Sequence, residues 1–282
     1  MYAYNASAVA LGGVINGPTR NVLSSVASSV LSPTGGDGTN IVTNFSHGGI
    51  AFDRAETRVW GFNADPLQFN TRSEVWITNL RLRNELQIAS MSASIVSTRS
   101  RDSVDSKWPD ASFRIHAEYL DVRVRKQTVA IRLDLDFFND RPTYDDLLTS
   151  YGNDIKLWEQ KFNTRNKPWD GAIIQSSLLA EDLDCREPGI RTDRNKLTIP
   201  GFGDVHFGEV LLKHGLRRLS LLRVELNGGS VHNQQLTSQF STFADAGGGA
   251  DMTDTSTLTT FQSGGSYAMG AIESNGTPIY PP

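Results

Sequence analysis

Asp134 and Asp136 stand two residues apart in an alternating apolar run, Val129, Ile131, Leu133, Leu135 and Phe137. On a β-strand both carboxylates would leave the same face. Asp140 and the pair Asp145-Asp146 follow closely. Clustered carboxylates can hold Ca²⁺ or Mg²⁺, or divide acid and base roles in a hydrolase. A plainer reading competes, because Arg123, Arg125 and Arg132 fall on that predicted face too, and ion pairs on a solvated sheet face need no ligand. We therefore expect Asp134 and Asp136 to bind no divalent ion.

Two loops share a composition, Lys107-Trp108-Pro109-Asp110 and Lys167-Pro168-Trp169-Asp170. A loop tryptophan beside proline and aspartate suits stacking on a sugar ring or gripping a cationic ligand, so Trp108 and Trp169 are the candidate ligand-binding residues. The structural alternative is that each plugs an open end of a sandwich. Trp60, Trp76 and Trp158 lie in patterned segments and are assigned to the core.

His47, His116, His206, His214 and His232 show no zinc-like spacing, and uniform strand alternation puts His206 and Glu209 on opposite faces. No metal and no cofactor is implied. Gly201-Phe202-Gly203 precedes a strand pattern, not a helix, and so reads as a turn and not as a phosphate cradle. There is no Gly-x-Ser-x-Gly elbow and no Walker pattern. Cys185, the single cysteine, allows no intrachain disulfide and reads as a semi-buried, inert thiol.

These residues must be positioned by a mostly β framework. Gly- and Ser-rich segments up to Phe45 read as short strands joined by turns, and Val75, Ile77, Leu80 and Leu82 make a strand with one phase slip. From Ser112 the inward set changes from Phe113, Ile115 and Ala117 to Leu120, Val122 and Val124, as a β-bulge would produce. A turn centred on Lys126-Gln127 would pair Val122 with Ile131 and set Asp121 opposite Arg132. A second hairpin is written around His214-Gly215, with Leu212 opposite Arg217 and Val210 opposite Leu219.

One amphipathic helix is expected near residues 143–163. Thr143 is its N-cap, Leu148, Ile155 and Trp158 form its buried stripe, and Gly152-Asn153 is a point for a kink. The expected fold is mainly β: an antiparallel two-sheet sandwich in residues 1–227, carrying that helix, followed by a Gly/Ser/Thr-rich C-terminal arm over residues 228–282.

The chain has 282 residues, 38% of them hydrophobic, enough for a sizeable core. A formal net charge of -4 disfavours a nucleic-acid partner. No stretch approaches the about 20 apolar residues of a membrane-spanning helix, and residues 1–15 do not form a convincing signal peptide, which leans toward the cytoplasm. Absent catalytic motifs and extensive strand content point to a non-catalytic binding or assembly protein. Its expected partner is a second copy of itself or another protein, reached through an arm anchored by Phe240, Phe243, Leu258, Phe261, Tyr267 and Ile279. The alternatives are a carboxylate- or metal-dependent hydrolase using Asp134 and Asp136, and a glycan-binding module using Trp108 and Trp169.

Overall fold

The computed structural model describes residues 2–16, 20–100, 109–153, 155–162, 173–226 and 266–278. Two antiparallel sheets pack face to face. The chain enters on β1 (Tyr2–Asn16) and β2 (Arg20–Val30) in the first sheet, then crosses to the second, which is built in order from β3 (Gly36–His47), β4 (Ile50–Asp65), β5 (Gln68–Leu82), β6 (Leu86–Ser100), β7 (Ser112–Val124) and β8 (Gln127–Val129). Three helical segments follow: α1 (Leu135–Asn139), α2 (Tyr144–Asn153) and α3 (Ile155–Phe162). The chain then returns to the first sheet through β9 (Ile174–Ser177), β10 (Arg191–Asp193), β11 (Lys196–Ile199), β12 (Gly203–Lys213), β13 (Leu216–Leu226) and β14 (Ser266–Pro278). The spatial order there is β10-β11-β12-β13-β14-β1-β2, with β9 also on β12.

The core lies between the sheets, where β1 packs over β4 and β5, and β14 over β5 and β6. Val75, Ile77, Ile95, Ile115, Val205, Leu212 and Leu219 are among its buried residues. At 20–33 cal/mol per Å² of apolar surface removed from water, a two-sheet interior of this kind is the main favourable term in folding.

Each sheet is creased along one transverse row. In the β3–β8 sheet, Asn44, Asn79 and Asp121 take left-handed backbone (φ +53°, +51° and +48°) on alternate strands. The register around them, Thr43↔Arg54 then Phe45↔Phe52, and Ser90↔Leu120 then Ile88↔Val122, sets the three in line across the sheet. Asn and Asp tolerate this region better than other residues with a side chain. At the crease the inward parity changes, from Val75 and Ile77 to Leu80 and Leu82, and from Ile115 and Ala117 to Val122 and Val124. Because every strand changes phase in the same row, the ladders on either side stay in register. The phase slips in the sequence are this crease.

The β1–β2–β14 sheet repeats the device with Ala27, Gly270 and Gly208 (φ +48°, +64° and +58°) in line with Ala10 and Leu221. Gly270 is required twice over. Its φ is left-handed, and a Cβ there would lie 2.7 Å from Leu221 Cδ1.

The β12–β13 hairpin has the expected register, Leu212↔Arg217 and Val210↔Leu219, around Gly215 at φ +71°. The β7–β8 hairpin differs from expectation. Its turn residues are Arg125-Lys126, so the ladder is Val122↔Val129 and Val124↔Gln127, two residues out of the expected register but with parity preserved. After Val129 the chain leaves the sheet, and Leu133 bridges to Leu179. Asp121 therefore pairs with Arg123 (2.8 Å) and Arg132 with Glu181 (3.2 Å), not with each other.

Thr143 caps α2 through a reciprocal box: its Oγ1 accepts from Asp146 N (3.1 Å), while Asp146 Oδ2 accepts from Thr143 N (3.0 Å) and Oγ1 (2.7 Å). The chain is helical up to Asn153 and again from Ile155, and Asp154, beside the expected kink point, lies outside the described residues. Tyr144, Leu147, Trp158 and Phe162 are buried, and Leu148 packs partly buried against the core. Ile155, expected in the stripe, is 50% exposed. Trp60 and Trp76 also depart from the expected core placement. They lie partly buried on the outer face, under Arg72 (4.6 Å to the ring centroid) and Arg58 (5.7 Å).

The expected boundary at residue 227 gives way to a sandwich that includes Ser266–Pro278. β14 lies between β13 and β1, pairing Leu222↔Met269 on one side and Leu11↔Met269 on the other. Among the described residues no helix is long and apolar enough to cross a membrane.

Candidate functional site

Asp134 and Asp136 do not share a strand face, since the chain is helical from Leu135. Asp134 is the N-cap of α1, accepting from Phe137 N (3.2 Å), and it pairs with Lys161 Nζ at 2.6 Å. Burial alone would raise its carboxyl. The Lys161 hydrogen bond, the Phe137 amide and the charges of Lys161 and Arg141 outweigh burial and hold it below the usual aspartate range. This is a structural cap that ties α1 to α3, and it removes the paired-carboxylate site.

Trp108, Trp169, Phe240, Phe243, Leu258, Phe261 and Ile279 lie outside the described residues. Tyr267 is described, and it is buried in β14 inside its own sandwich. Cys185 is half-buried against the core.

The feature that stands out is one side of the sandwich. β2 and β3 are the terminal strands of their two sheets and run side by side, joined by the short connection through Pro33. Tyr4 N donates to Pro33 O (3.0 Å) and Leu31 N to Ala6 O (2.9 Å), tying the connection to β1, and Asn40 Nδ2 donates to Ser28 O (3.1 Å), joining β3 to β2. Gly61 sits under this corner, where a Cβ would come within 2.6 Å of both Leu31 Cδ2 and Tyr4 Cδ1. Among the described residues, no strand pairs with the outer edge of β2 or of β3.

The other edges are blunted. β7 is covered first by three-residue β8 and then by Asn139, whose Oδ1 accepts from Ile115 N (2.8 Å) and whose Nδ2 donates to Ile115 O (3.0 Å). Phe113 N donates to Pro142 O (2.9 Å). At the far edge of the first sheet, β10 is three residues long and carries Arg191 and Asp193. Short, charged or covered edges resist strand addition.

The β2–β3 side has long strands and little charge, and its one such cover among the described residues is Asn40 Nδ2 on Ser28 O. From Asn21 to Phe52 the sequence holds a single formal charge, Asp37, where a chain 21% charged would place about seven in such a span. Ile41, on the outward face of β3, is 47% exposed, and Val30 at the end of β2 is more so. The signal was present in the sequence as this gap in charge. It becomes interpretable only once both edges are known to lie together.

A second assembly of polar groups occupies the outer face of β11, β12 and β13. Arg223 clamps Glu209 with two hydrogen bonds (2.6 and 2.7 Å) and also bonds Glu225. His206 Nδ1 lies 3.7 Å from Glu209 and its Nε2 3.6 Å from Glu225. Lys196 Nζ stands 3.9 Å from Asp204. Uniform alternation puts His206 and Glu209 on opposite faces, but left-handed Gly208 between them resets the parity and brings them to the same one. Burial, aided by the Arg223 charge, pushes the His206 imidazole down to about 4 against the opposing pull of Glu209 and Asp204, so the ring is neutral at neutral pH. Burial would raise Glu209, but the Arg223 hydrogen bonds and charge hold it low. Asp204, His206 and Glu225 are the described residues that could hold a metal.

Comparison with protein families matches residues 2–170 to a family described as a domain of unknown function, DUF8256. The chain belongs to that family. The DUF8256 match takes in β1–β8 and the three helical segments, and so includes the entire open β2–β3 side. It stops before β9–β14, which complete the sheet that β1 and β2 begin, so the match is narrower than the folded sandwich. Neither the curated proteins nor the solved structures gave a match.

Proposed function

We propose that this DUF8256 chain is a non-catalytic assembly module that joins a second copy of itself along the open β2–β3 side. The observation that carries the reading is the pair of long, adjacent edge strands running through a stretch with one formal charge. An uncharged edge offers a charged partner nothing to read, whereas its unpaired N–H and C=O groups suit any strand of like pattern, including its own copy.

The geometry favours antiparallel pairing about a two-fold axis at Ile41. Thr39, Ile41 and Thr43 share the outward face of β3, and left-handed Asn44 ends the regular stretch. A two-fold at Ile41 places Ile41 opposite its own copy and Thr39 opposite Thr43 on both flanks. Threonine and β-branched pairs of this kind contribute roughly 0.2–1 kcal/mol each beyond the backbone hydrogen bonds. An isologous interface of this type closes as a dimer.

The test is light scattering of the full chain over a range of concentrations, with Ile41→Lys beside it. The expected result is a dimer for the parent and a monomer of unchanged circular dichroism for the variant. A parent that stays monomeric at high micromolar concentration, or a variant of unchanged mass, overturns the proposal.

A further inference from the structure

We propose that Asp204, His206 and Glu225 bind a divalent transition-metal ion of the Zn²⁺ and Co²⁺ class on the outer face of the β12–β13 hairpin. The site is independent of the edge that carries the assembly proposal.

Three observations converge. First, one ligand atom from each residue can be chosen so that all lie within 4.8 Å of one another. His206 Nε2 to Glu225 Oε1 is 3.6 Å, close to the roughly 3.3 Å that separates two ligands held about 2.0–2.1 Å from a tetrahedral ion. Secondly, His206 Nε2 is shut off from solvent and has no hydrogen-bond partner. At 3.6 and 3.7 Å neither ring nitrogen is within hydrogen-bonding distance of the carboxylate it faces. A neutral imidazole has one bare lone pair, and here it must point at a carboxylate oxygen unless a cation stands between them. Thirdly, Asp204 and Glu225 are direct cross-strand partners. Like charges so placed repel.

The surrounding charges cancel that repulsion only in part. Asp204, Glu209 and Glu225 supply three negative charges, and Arg223 and Lys196 two positive ones. Arg223 is shared between Glu209, by two bonds, and Glu225 Oε1, and Lys196 stands at 3.8 Å from Asp193 as well as 3.9 Å from Asp204, so an ion at this corner would bind Glu225 through an oxygen not held by Arg223 or would displace that contact. A divalent ion at the Asp204–His206–Glu225 corner would take one nitrogen and two oxygen ligands, a mixture that favours Zn²⁺ or Co²⁺ over Ca²⁺ or Mg²⁺. Glu209, beside the other ring nitrogen and fixed by Arg223, would then orient the imidazole, as a carboxylate behind a ligating histidine commonly does.

The experiment uses the full chain, stripped with a chelator and titrated with Co²⁺ by visible absorption and with Zn²⁺ by calorimetry. The expected result is one ion per chain, a visible Co²⁺ band that Zn²⁺ abolishes, loss of binding in His206→Ala and Glu225→Gln, and a 10–100-fold weakening in Glu209→Gln. Circular dichroism of the variants separates loss of the site from loss of the fold, and Asp204→Asn serves as the milder substitution if His206→Ala does not fold. Absence of stoichiometric binding by the folded parent overturns the proposal, as does binding that survives in a folded His206→Ala or Asp204→Asn.

Discussion

Gly270→Ala is expected to be among the most damaging single-methyl additions in this chain. The residue lies at the crease of a central strand, with φ at +64°. A Cβ would meet Leu221 Cδ1 at 2.7 Å and Leu221 Cβ at 3.0 Å, and Leu221 is fully buried. The left-handed conformation costs a residue with a side chain about 1–2 kcal/mol. Overpacking a tight core adds about 1–3 kcal/mol, and reduced freedom of the unfolded chain returns about 0.4–1 kcal/mol. The net loss is about 1–5 kcal/mol, or about 2–10 °C in Tm at roughly 2 °C per kcal/mol for a chain of this size. Gly12→Ala is the control. Its nearest neighbours would be at 3.5 and 3.9 Å and its φ is not left-handed, so stability should change by less than about 1 kcal/mol. Thermal unfolding by circular dichroism measures both. Equal effects from the two substitutions would refute the crease as a steric requirement.

Trp158→Ala should cost about 3–5 kcal/mol in the same assay, because the indole is 1% exposed and packs on Phe162 with ring centroids 4.2 Å apart; a loss under about 1 kcal/mol would mean that α3 does not dock there. Thr143→Ala removes one half of the capping box and should cost about 1 kcal/mol, read as a lowered Tm, whereas Thr143→Ser should be nearly neutral. Asp134→Asn should destabilise by about 1–2 kcal/mol at neutral pH, since it leaves the Lys161 ammonium, 6% exposed, without its carboxylate. Asp134 is held below its unfolded value, so its contribution is present above about pH 4 and is lost as pH falls through the folded pKa. The gap between parent and Asp134→Asn should therefore close on acidification below about pH 4, and a gap that widens there would contradict the assignment.

What was legible in the sequence depended on how local the signal was. The β12–β13 register follows from Gly215 and alternation on either side of it, and the α2 cap from Thr143 and Asp146 three residues apart. The phase slips near Asn79 and Asp121 were visible as broken alternation, although only the register shows that they form one row across a sheet. The β7–β8 turn was misplaced because Arg125, with a side chain, adopts φ +54° where glycine or asparagine would have marked the position. β14 was not legible at all. Its pairing with β1 crosses more than 250 residues, and the alternation of Tyr267, Met269 and Ile272 is interrupted by Gly270 and set in a Gly- and Ser-rich context. The His206 site was hidden by the assumption of uniform alternation, which Gly208 breaks.

The assembly claim rests on a specific pairing, and cysteine cross-linking reads that pairing directly. In a Cys185→Ser background, two-fold pairing about Ile41 sets the Cβ atoms of two Ile41→Cys copies about 4.5–5.5 Å apart, near the range a disulfide spans. Two Thr39→Cys copies would stand four strand positions apart, about 13 Å at the usual strand rise, and could not join. Mild oxidation of the full chain should therefore yield a covalent dimer from Ile41→Cys and none from Thr39→Cys, and combining Thr39→Cys with Thr43→Cys should restore it. No cross-link from Ile41→Cys, or equal cross-linking from Ile41→Cys and Thr39→Cys alone, would contradict assembly through the β3 edge.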